Sequence, residues 1–349
     1  MITMDKNELR RRRIEKSFSS SDYINNAFGI QAQHIPSAGL SMAIRDKQMT
    51  VNEYKKMLGN LDVMRLWGQR NTLHLYPILT LPFVSALNQF LGNWFRKKWL
   101  RVDADKYRAN IEKAISVCQE KKVITRADLI EIGVDSILID SWGGIFIDLF
   151  SYGALVPACE NMKTIFMNAN CIPKFTSKGI DETLQYIINL YFTQYGPATS
   201  ADFAHWLGIN TTSSQHLINT YGNDLVRDGS LLCIEGEYEK ECGGLENEYL
   251  ITARFDNLYL AYAHKDWIID PAYSRMLWIK SGIIEASIIH CGQVVGVWRY
   301  KIKSSIEVTV VLFDLKQRKD KISKVISDLL SRYWGKDCIV QYRNDFYDV

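Results

Sequence analysis

Apolar positions fall into two patterns along the chain. A longer first part carries helical spacing, and a shorter last part carries strand-like runs. Apolar residues recur at i, i+3 and i+4 through Tyr107–Glu120 and Asp181–Tyr195, which predicts two amphipathic helices. After each of them comes the same plan. One copy starts Thr125-Arg-Ala-Asp-Leu-Ile-Glu-Ile-Gly133, and the other Thr199-Ser-Ala-Asp-Phe-Ala-His-Trp-Leu-Gly208. In both, a threonine can accept from the backbone N–H groups of a first turn, and a glycine can end the helix in a left-handed conformation. A second helical segment is predicted over Ser136–Phe150 and Thr212–Asp224. Gly153–Val156 and Gly229–Ile234 then read as a first strand, with Lys163–Met167 and Tyr249–Thr252 as the extended run after it.

A weaker copy lies upstream. Thr50–Gly59 resembles the first helix, and Val63–Gln69 with Thr72–Tyr76 supply an apolar segment and a strand. Helix, glycine turn, helix and hairpin is the plan of a winged helix-turn-helix, so three such units in tandem are expected. The last part changes character. Ile283–His290, Gln293–Ile302 and Ile306–Phe313 are β-type runs, the first two separated by the hairpin signal Cys291-Gly292. A helix over Leu315–Tyr333 and a strand over Cys338–Tyr342 complete it. The predicted class is α+β: winged-helix units over 1–105, 106–178 and 179–252, then a small β-rich domain over 253–349.

Composition narrows the functional classes. Of 349 residues, 47% are hydrophobic and 23% charged, which excludes a disordered or fibrous chain. The start lacks an apolar leader, and the longest apolar stretch, Ser136–Cys159, contains Asp140 and Asp148, so a cytoplasmic chain without a membrane span is expected. Seven cysteines without a C-x-x-C, and six histidines without ligand spacing, predict no metal site. No G-x-x-x-x-G-K-[ST], G-x-G-x-x-G or G-x-S-x-G occurs, so neither a nucleotide cofactor nor a serine-hydrolase elbow is expected.

The net charge of +3 permits a nucleic-acid partner without requiring one. Clustering is more informative. Arg96, Lys97, Lys98, Arg101, Lys106 and Arg108 interleave with Trp94, Phe95, Trp99 and Tyr107. Cations can neutralise phosphates while aromatics stack on bases or wedge into a groove. The same pattern fits a solvated helix face with aromatics turned inward. Arg10–Arg13 reads as a flexible arm or a solvated face.

One further constellation stands near the start, Gly29-Ile-Gln31-Ala-Gln33-His-Ile-Pro36. In an extended segment Gln31 and Gln33 project to the same side. Two amides on one spot can hold a water molecule, but neither can take a proton at neutral pH. They would suit a reaction whose leaving group is already activated. Both could equally bond to loop backbone.

Together with Pro36, Ala38-Gly39 and Arg45, and with Arg65-Leu-Trp-Gly-Gln-Arg70-Asn-Thr72-Leu-His74, this segment resembles the AlkZ-like winged-helix DNA glycosylases. Phe255-Asp256-Asn257-Leu258, Lys265-Asp266 and Gly292–Trp298 extend the resemblance from about Tyr23 to Trp334. It implies tandem winged helices on duplex DNA and hydrolysis of N7-alkylated purines, with Gln31 and Gln33 as the Gln-x-Gln motif that positions water. Some members of that family unhook interstrand crosslinks. Thr72 and His74 are candidate neighbours of the motif on a nearby strand, and Arg70, Thr72 and His74 join Arg96, Lys97, Lys98 and Arg101 as candidate DNA-contacting residues. The sister YcaQ-like branch usually has aspartate where Gln33 stands. Two departures are visible: Asn71 replaces a common glycine, and Ala32 is small for the middle position.

A non-catalytic winged-helix regulator would use the same fold, but usually as a dimer, and no coiled-coil helix is evident; a monomer is expected. A winged-helix protein scaffold is the third reading. It predicts no salt-dependent DNA affinity.

Overall fold

The computed structural model describes residues 4–19, 22–92, 94–140, 144–172, 176–236, 245, 247–279 and 282–346, without the side chains of Trp94, Phe95, Lys97 and Trp99. It combines helices with sheets and forms two compact units, Met1–Tyr54 with Gln185–Val349, and Lys55–Leu184.

In the unit Lys55–Leu184, Val63–Trp67 and Leu73–Pro77 form an antiparallel hairpin. The apolar segment expected over Val63–Gln69 is thus itself a strand as far as Trp67, paired with the one predicted after it. Helices Leu81–Leu91, Trp94–Val102 and Ala104–Glu120 follow. Arg126–Glu131 then opens with a capping box between Thr125 and Asp128, as the threonine predicts. The second predicted helix is two, Ser136–Asp140 and Gly144–Ser151, and what joins them lies outside the described residues. Strands Leu155–Glu160 and Lys163–Asn168 pair, and Val123–Ile124 adds a third. Ile111, Leu129, Phe146 and Leu149 fill the core between these elements.

In the other unit, Ser200–Leu207 carries the matching capping box of Thr199 and Asp202, and Gly208 ends it at φ 88°. Helix Thr211–Tyr221 follows. The hairpin after it differs from the sequence reading. Leu231–Ile234 pairs with Leu225–Asp228 across Gly229-Ser230, not with Tyr249–Thr252. A two-residue loop with Gly229 at φ 58° closes this hairpin locally. Leu250–Ile251 instead edges the large sheet, against Ile288 and Ile289. That sheet runs Cys338–Tyr342, Ile306–Leu312, Gln293–Ile302, Ala286–His290, Leu250–Ile251. The predicted hairpin at Cys291-Gly292 forms, both residues at positive φ, and helix Lys319–Trp334 buries Ile322, Ile326 and Leu330.

The run Arg10–Arg13 is neither an arm nor a solvated face. It lies in helix Lys6–Phe18, with Arg12 and Arg13 buried. Arg13 donates to Pro197 O at 3.2 Å and pairs with Asp202 at 3.3 Å, its guanidinium 4.1 Å from the Tyr262 ring centroid. Carbonyl, carboxylate and ring together replace the water that the guanidinium loses on burial.

Candidate functional site

The segment that carries Gln31 and Gln33 is short and held from one side. Phe28 at φ 44° and Gly29 at φ 90° make a left-handed bend, which glycine adopts freely and phenylalanine rarely. Strand Ile30–Gln31 leaves that bend, and helix Ile35–Arg45 starts four residues after Gln31, with Pro36 in its first turn. Phe28, Ile30 and Ala32 are almost wholly buried, whereas Gln33 is exposed; Gln31 is 7% exposed. The small Ala32 therefore packs into the core. His34 bonds Ser37 through Nδ1 at 2.8 Å, which fixes the residue after Gln33 on the first helical turn.

Asn257 holds this segment in place. Its Oδ1 accepts from Gln31 N at 3.2 Å, and its Nδ2 donates to Gly29 O at 2.8 Å and to Tyr195 Oη at 3.2 Å. Tyr195 donates to Ala27 O at 3.2 Å. Burial raises the Tyr195 phenol well above its usual range, so it stays a donor at every working pH. Ala27, Gly29 and Gln31 are thus gripped at alternate residues by one tyrosine–amide pair.

Asn257 is itself placed by an ion pair. Asp256 caps the short helix Asn257–Leu260 and meets Arg45 in a bidentate contact, both bonds 2.8 Å, with both side chains fully buried. Arg45 also donates to Ser17 O at 2.6 Å and stacks on the Tyr23 ring at 4.1 Å. Burial opposes the guanidinium charge, but the carboxylate outweighs it and the pKa rises. The last residue of helix Ile35–Arg45 and the strand that leads into that helix are therefore tied to consecutive residues, Asp256 and Asn257. Sequence reading had Asn257 and Asp256 as parts of a resemblance, and Tyr195 as a helix residue, without assigning any of them to the motif. The partners are more than 150 positions from Gln31, so no local spacing betrays them.

The other unit holds Arg70, Thr72 and His74. Between the hairpin strands, Arg70 at φ 57° and Asn71 at φ 54° are both left-handed. Asparagine tolerates that region better than most side chains, which accounts for Asn71 where glycine is common. Buried Gln69 accepts from Tyr76 Oη, and Gly68 leaves no room for a Cβ beside that hydroxyl. His74 is buried, bonds Thr72 O through Nδ1 at 2.9 Å, and faces Arg70 at 3.4 Å. Burial, and then the Arg70 charge, hold its imidazole down to about 3, so it is neutral at pH 7. Arg70 and Thr72 are half-buried on the rim of this loop.

The basic cluster separates into different environments. Arg96 turns toward buried Asp148, Nε to Oδ1 3.9 Å, and lies over the Tyr152 ring at 5.6 Å. Lys106 pairs with Asp135 at 2.6 Å. Lys98 and Arg101 are exposed on helix Trp94–Val102, and the side chain of Lys97 lies outside the described residues. Among the described residues no group of His, Cys, Asp and Glu has a metal-holding arrangement, and no helix is long and apolar enough to cross a membrane.

Comparison with known proteins adds three findings. The family described as DNA glycosylase AlkZ-like matches residues 24–329. The interstrand DNA cross-link repair glycosylase of Streptomyces sahachiroi is 26% identical over 309 residues, covering 80% of this chain and 82% of that protein. The solved structure of the Streptomyces sahachiroi DNA glycosylase AlkZ shares the fold, with a TM-score of 0.79 at 20% identity over 98% of this chain and 100% of the other.

Proposed function

The chain belongs to the AlkZ-like DNA glycosylase family, and from that premise we propose that it hydrolyses the N-glycosidic bond of N7-alkylated purines in duplex DNA, with Gln31 and Gln33 positioning the water. The relative named for interstrand cross-link repair extends the reading to bulky adducts and cross-links. The helix, helix and hairpin sets serve as tandem winged helices, and a monofunctional monomer works in the cytoplasm without metal or nucleotide cofactor.

The observation that carries the reading is the placement of two neutral amides on a segment locked by Asn257 and Tyr195. An N7-alkylpurine is already cationic. When its C1′–N9 bond breaks, the electron pair goes to the base, which leaves neutral. The sugar develops oxocarbenium character, and water adds at C1′ and loses one proton to solvent. No strong acid is needed, which fits a site whose motif has no titratable group. What the site must supply is a fixed water and dipoles that favour developing positive charge on the sugar. Carbonyl oxygens of two glutamines can provide both, because each accepts from water and points its negative end toward the sugar.

Release of free base from N7-methylguanine duplexes tests this. Gln31→Ala and Gln33→Ala should each lower the single-turnover rate on the order of 10²-fold while DNA affinity changes little. Parent rates in both variants, with folding intact, would sink the assignment.

A further inference from the structure

Strand Gln293–Ile302 outruns its neighbour. Pairing with Ala286–His290 stops at Ala286↔Trp298, while pairing with Ile306–Leu312 continues to Ile302. Beside the unaccompanied residues lies a cleft of about 400 Å³, whose lining includes His34 and Ser37, Arg254, Arg299, Tyr300 and Trp334. His34 immediately follows Gln33, so the cleft adjoins the motif. We propose that this cleft binds an unstacked nucleotide with an uncharged base, next to or opposite the lesion, its phosphate on Arg254 and Arg299 and its base against Tyr300 and Trp334. The proposal rests on the glycosylase reading of the same site.

The charge arrangement points to an anion. Fully buried Glu285 stands between the two arginines, 2.9 Å from Arg299 and 3.5 Å from Arg254, and each arginine side chain is 33% exposed. One carboxylate against two guanidiniums leaves one positive charge facing the cleft, and exposed Lys301 adds another. The Arg299 guanidinium also lies over the Phe346 ring, 4.0 Å from its centroid. Such bracing orients the guanidiniums before a ligand arrives, so little side-chain entropy is lost on binding.

The hydrogen-bonding inventory points the same way. Among the described residues, Trp298 Nε1 and Arg299 Nε find no acceptor, so unspent donor capacity lies directly behind the lining. The walls point to a planar group. Tyr300 stacks on Trp298 with centroids 5.9 Å apart, and Trp334 stands 6.5 Å from Tyr300. A planar anion rich in acceptors is a nucleotide, and base–aromatic stacking tolerates any neutral base. The cationic alkylpurine itself is excluded, because Arg254, Arg299 and Lys301 repel it. An adjoining cleft of about 360 Å³ carries Arg343 and the ion pair of Lys303 with Glu307, 2.8 Å apart, and gives the strand a way out.

Photo-crosslinking tests the assignment. 5-Iodouracil is placed opposite an N7-methylguanine, or on either flank, and irradiated with the full-length chain; mass spectrometry maps the adducts. A crosslink from one of these positions to Tyr300 or Trp334 is expected. Tyr300→Ala should abolish a Tyr300 adduct and weaken binding roughly ten-fold, whereas Tyr300→Phe should keep both. Arg299→Gln should lower the slope of log K against log salt by about 1. Thermal unfolding of each variant separates loss of binding from loss of fold. Base release by the wild type from the same duplexes is measured in parallel. Without base release the glycosylase reading fails, and the crosslink map still reports on the cleft. With base release but no adduct on cleft residues from any position, the cleft assignment is overturned and the glycosylase reading stands.

Discussion

Asn257 grips the main chain of Gln31: its amide oxygen accepts the Gln31 N–H at 3.2 Å while its amide nitrogen donates two residues earlier, to Gly29 O at 2.8 Å. One side chain thus satisfies a donor and an acceptor on the same edge of the peptide run that presents the motif. Asn257→Asp keeps the acceptor but sets a carboxylate oxygen against the Gly29 carbonyl. Displacing a catalytic group by a fraction of an ångström is costly, so base release should fall on the order of 10–10²-fold. DNA affinity should stay within about three-fold, because this amide is buried and spent on protein partners. Equal losses in affinity and rate would show that Asn257 holds the fold and not the motif.

The Arg45–Asp256 pair is buried on both sides. Asp256→Ala leaves a guanidinium without its partner in the core, which typically costs about 3–5 kcal/mol. Denaturant unfolding should show that loss in the midpoint. A double replacement, Arg45→Met with Asp256→Ala, should recover part of it, since no uncompensated charge remains. A single variant as stable as the parent would mean that water reaches Arg45.

Gly39 sits on helix Ile35–Arg45 where a Cβ would collide with the Tyr54 ring and the Tyr333 hydroxyl. Gly39→Ala must therefore push the helix off its seat, against the ordinary helix preference for alanine. Overpacking of this kind costs roughly 1–3 kcal/mol. A fall in Tm is expected, together with slower base release, because Gln33 lies two residues before the start of this helix. An unchanged Tm would show that the tyrosines yield freely.

His74 gives the stability a pH dependence with a definite sign. Its folded pKa, about 3, lies below the ordinary value of 6.5. Between those values the unfolded chain binds a proton that the folded chain refuses, so stability is complete above about pH 6.5 and declines as pH falls. The slope approaches about 1.4 kcal/mol per pH unit for this one group. Replacing it in His74→Gln should flatten the unfolding midpoint between pH 4 and 6. The same slope in parent and variant would place the acid sensitivity elsewhere.

These residues also show what was legible in the sequence. Thr125 and Thr199 announced themselves as N-caps because a cap is a contact over three residues, and the structure adds Asp128 and Asp202 to make each a capping box. Cys291-Gly292 announced a hairpin for the same reason. The motif glutamines were visible as residues, but the Asn257 clamp spans 226 positions and depends on the whole core. Arg12 and Arg13 read as solvated because charge normally is, and only Asp202, Pro197 O and Tyr262, brought in by folding, reverse that. The Tyr249–Thr252 strand was found, but its partner was misread, since a strand can pair wherever an edge is free.

The two glutamines should respond differently to a carboxylate. Gln33 is exposed, whereas Gln31 is 7% exposed and packed beside Asn257. At position 33, Gln33→Asp keeps water around the new group, so it stays ionised at neutral pH. A fixed negative charge favours an oxocarbenium-like sugar and can take a proton from water. That variant should retain a large share of the parent rate, well above Gln33→Ala. At position 31, Gln31→Glu buries a carboxyl away from water, and burial raises its pKa. The charged form then appears only as pH rises, so the rate of Gln31→Glu should climb across pH 5 to 8 while the parent stays flat. Stability should move the opposite way, lower at high pH where the buried carboxyl must ionise. If Gln33→Asp is as slow as Gln33→Ala, or if Gln31→Glu shows the parent's flat profile, the two side chains do not differ in solvation in the working complex, and the water-positioning geometry proposed for them is wrong.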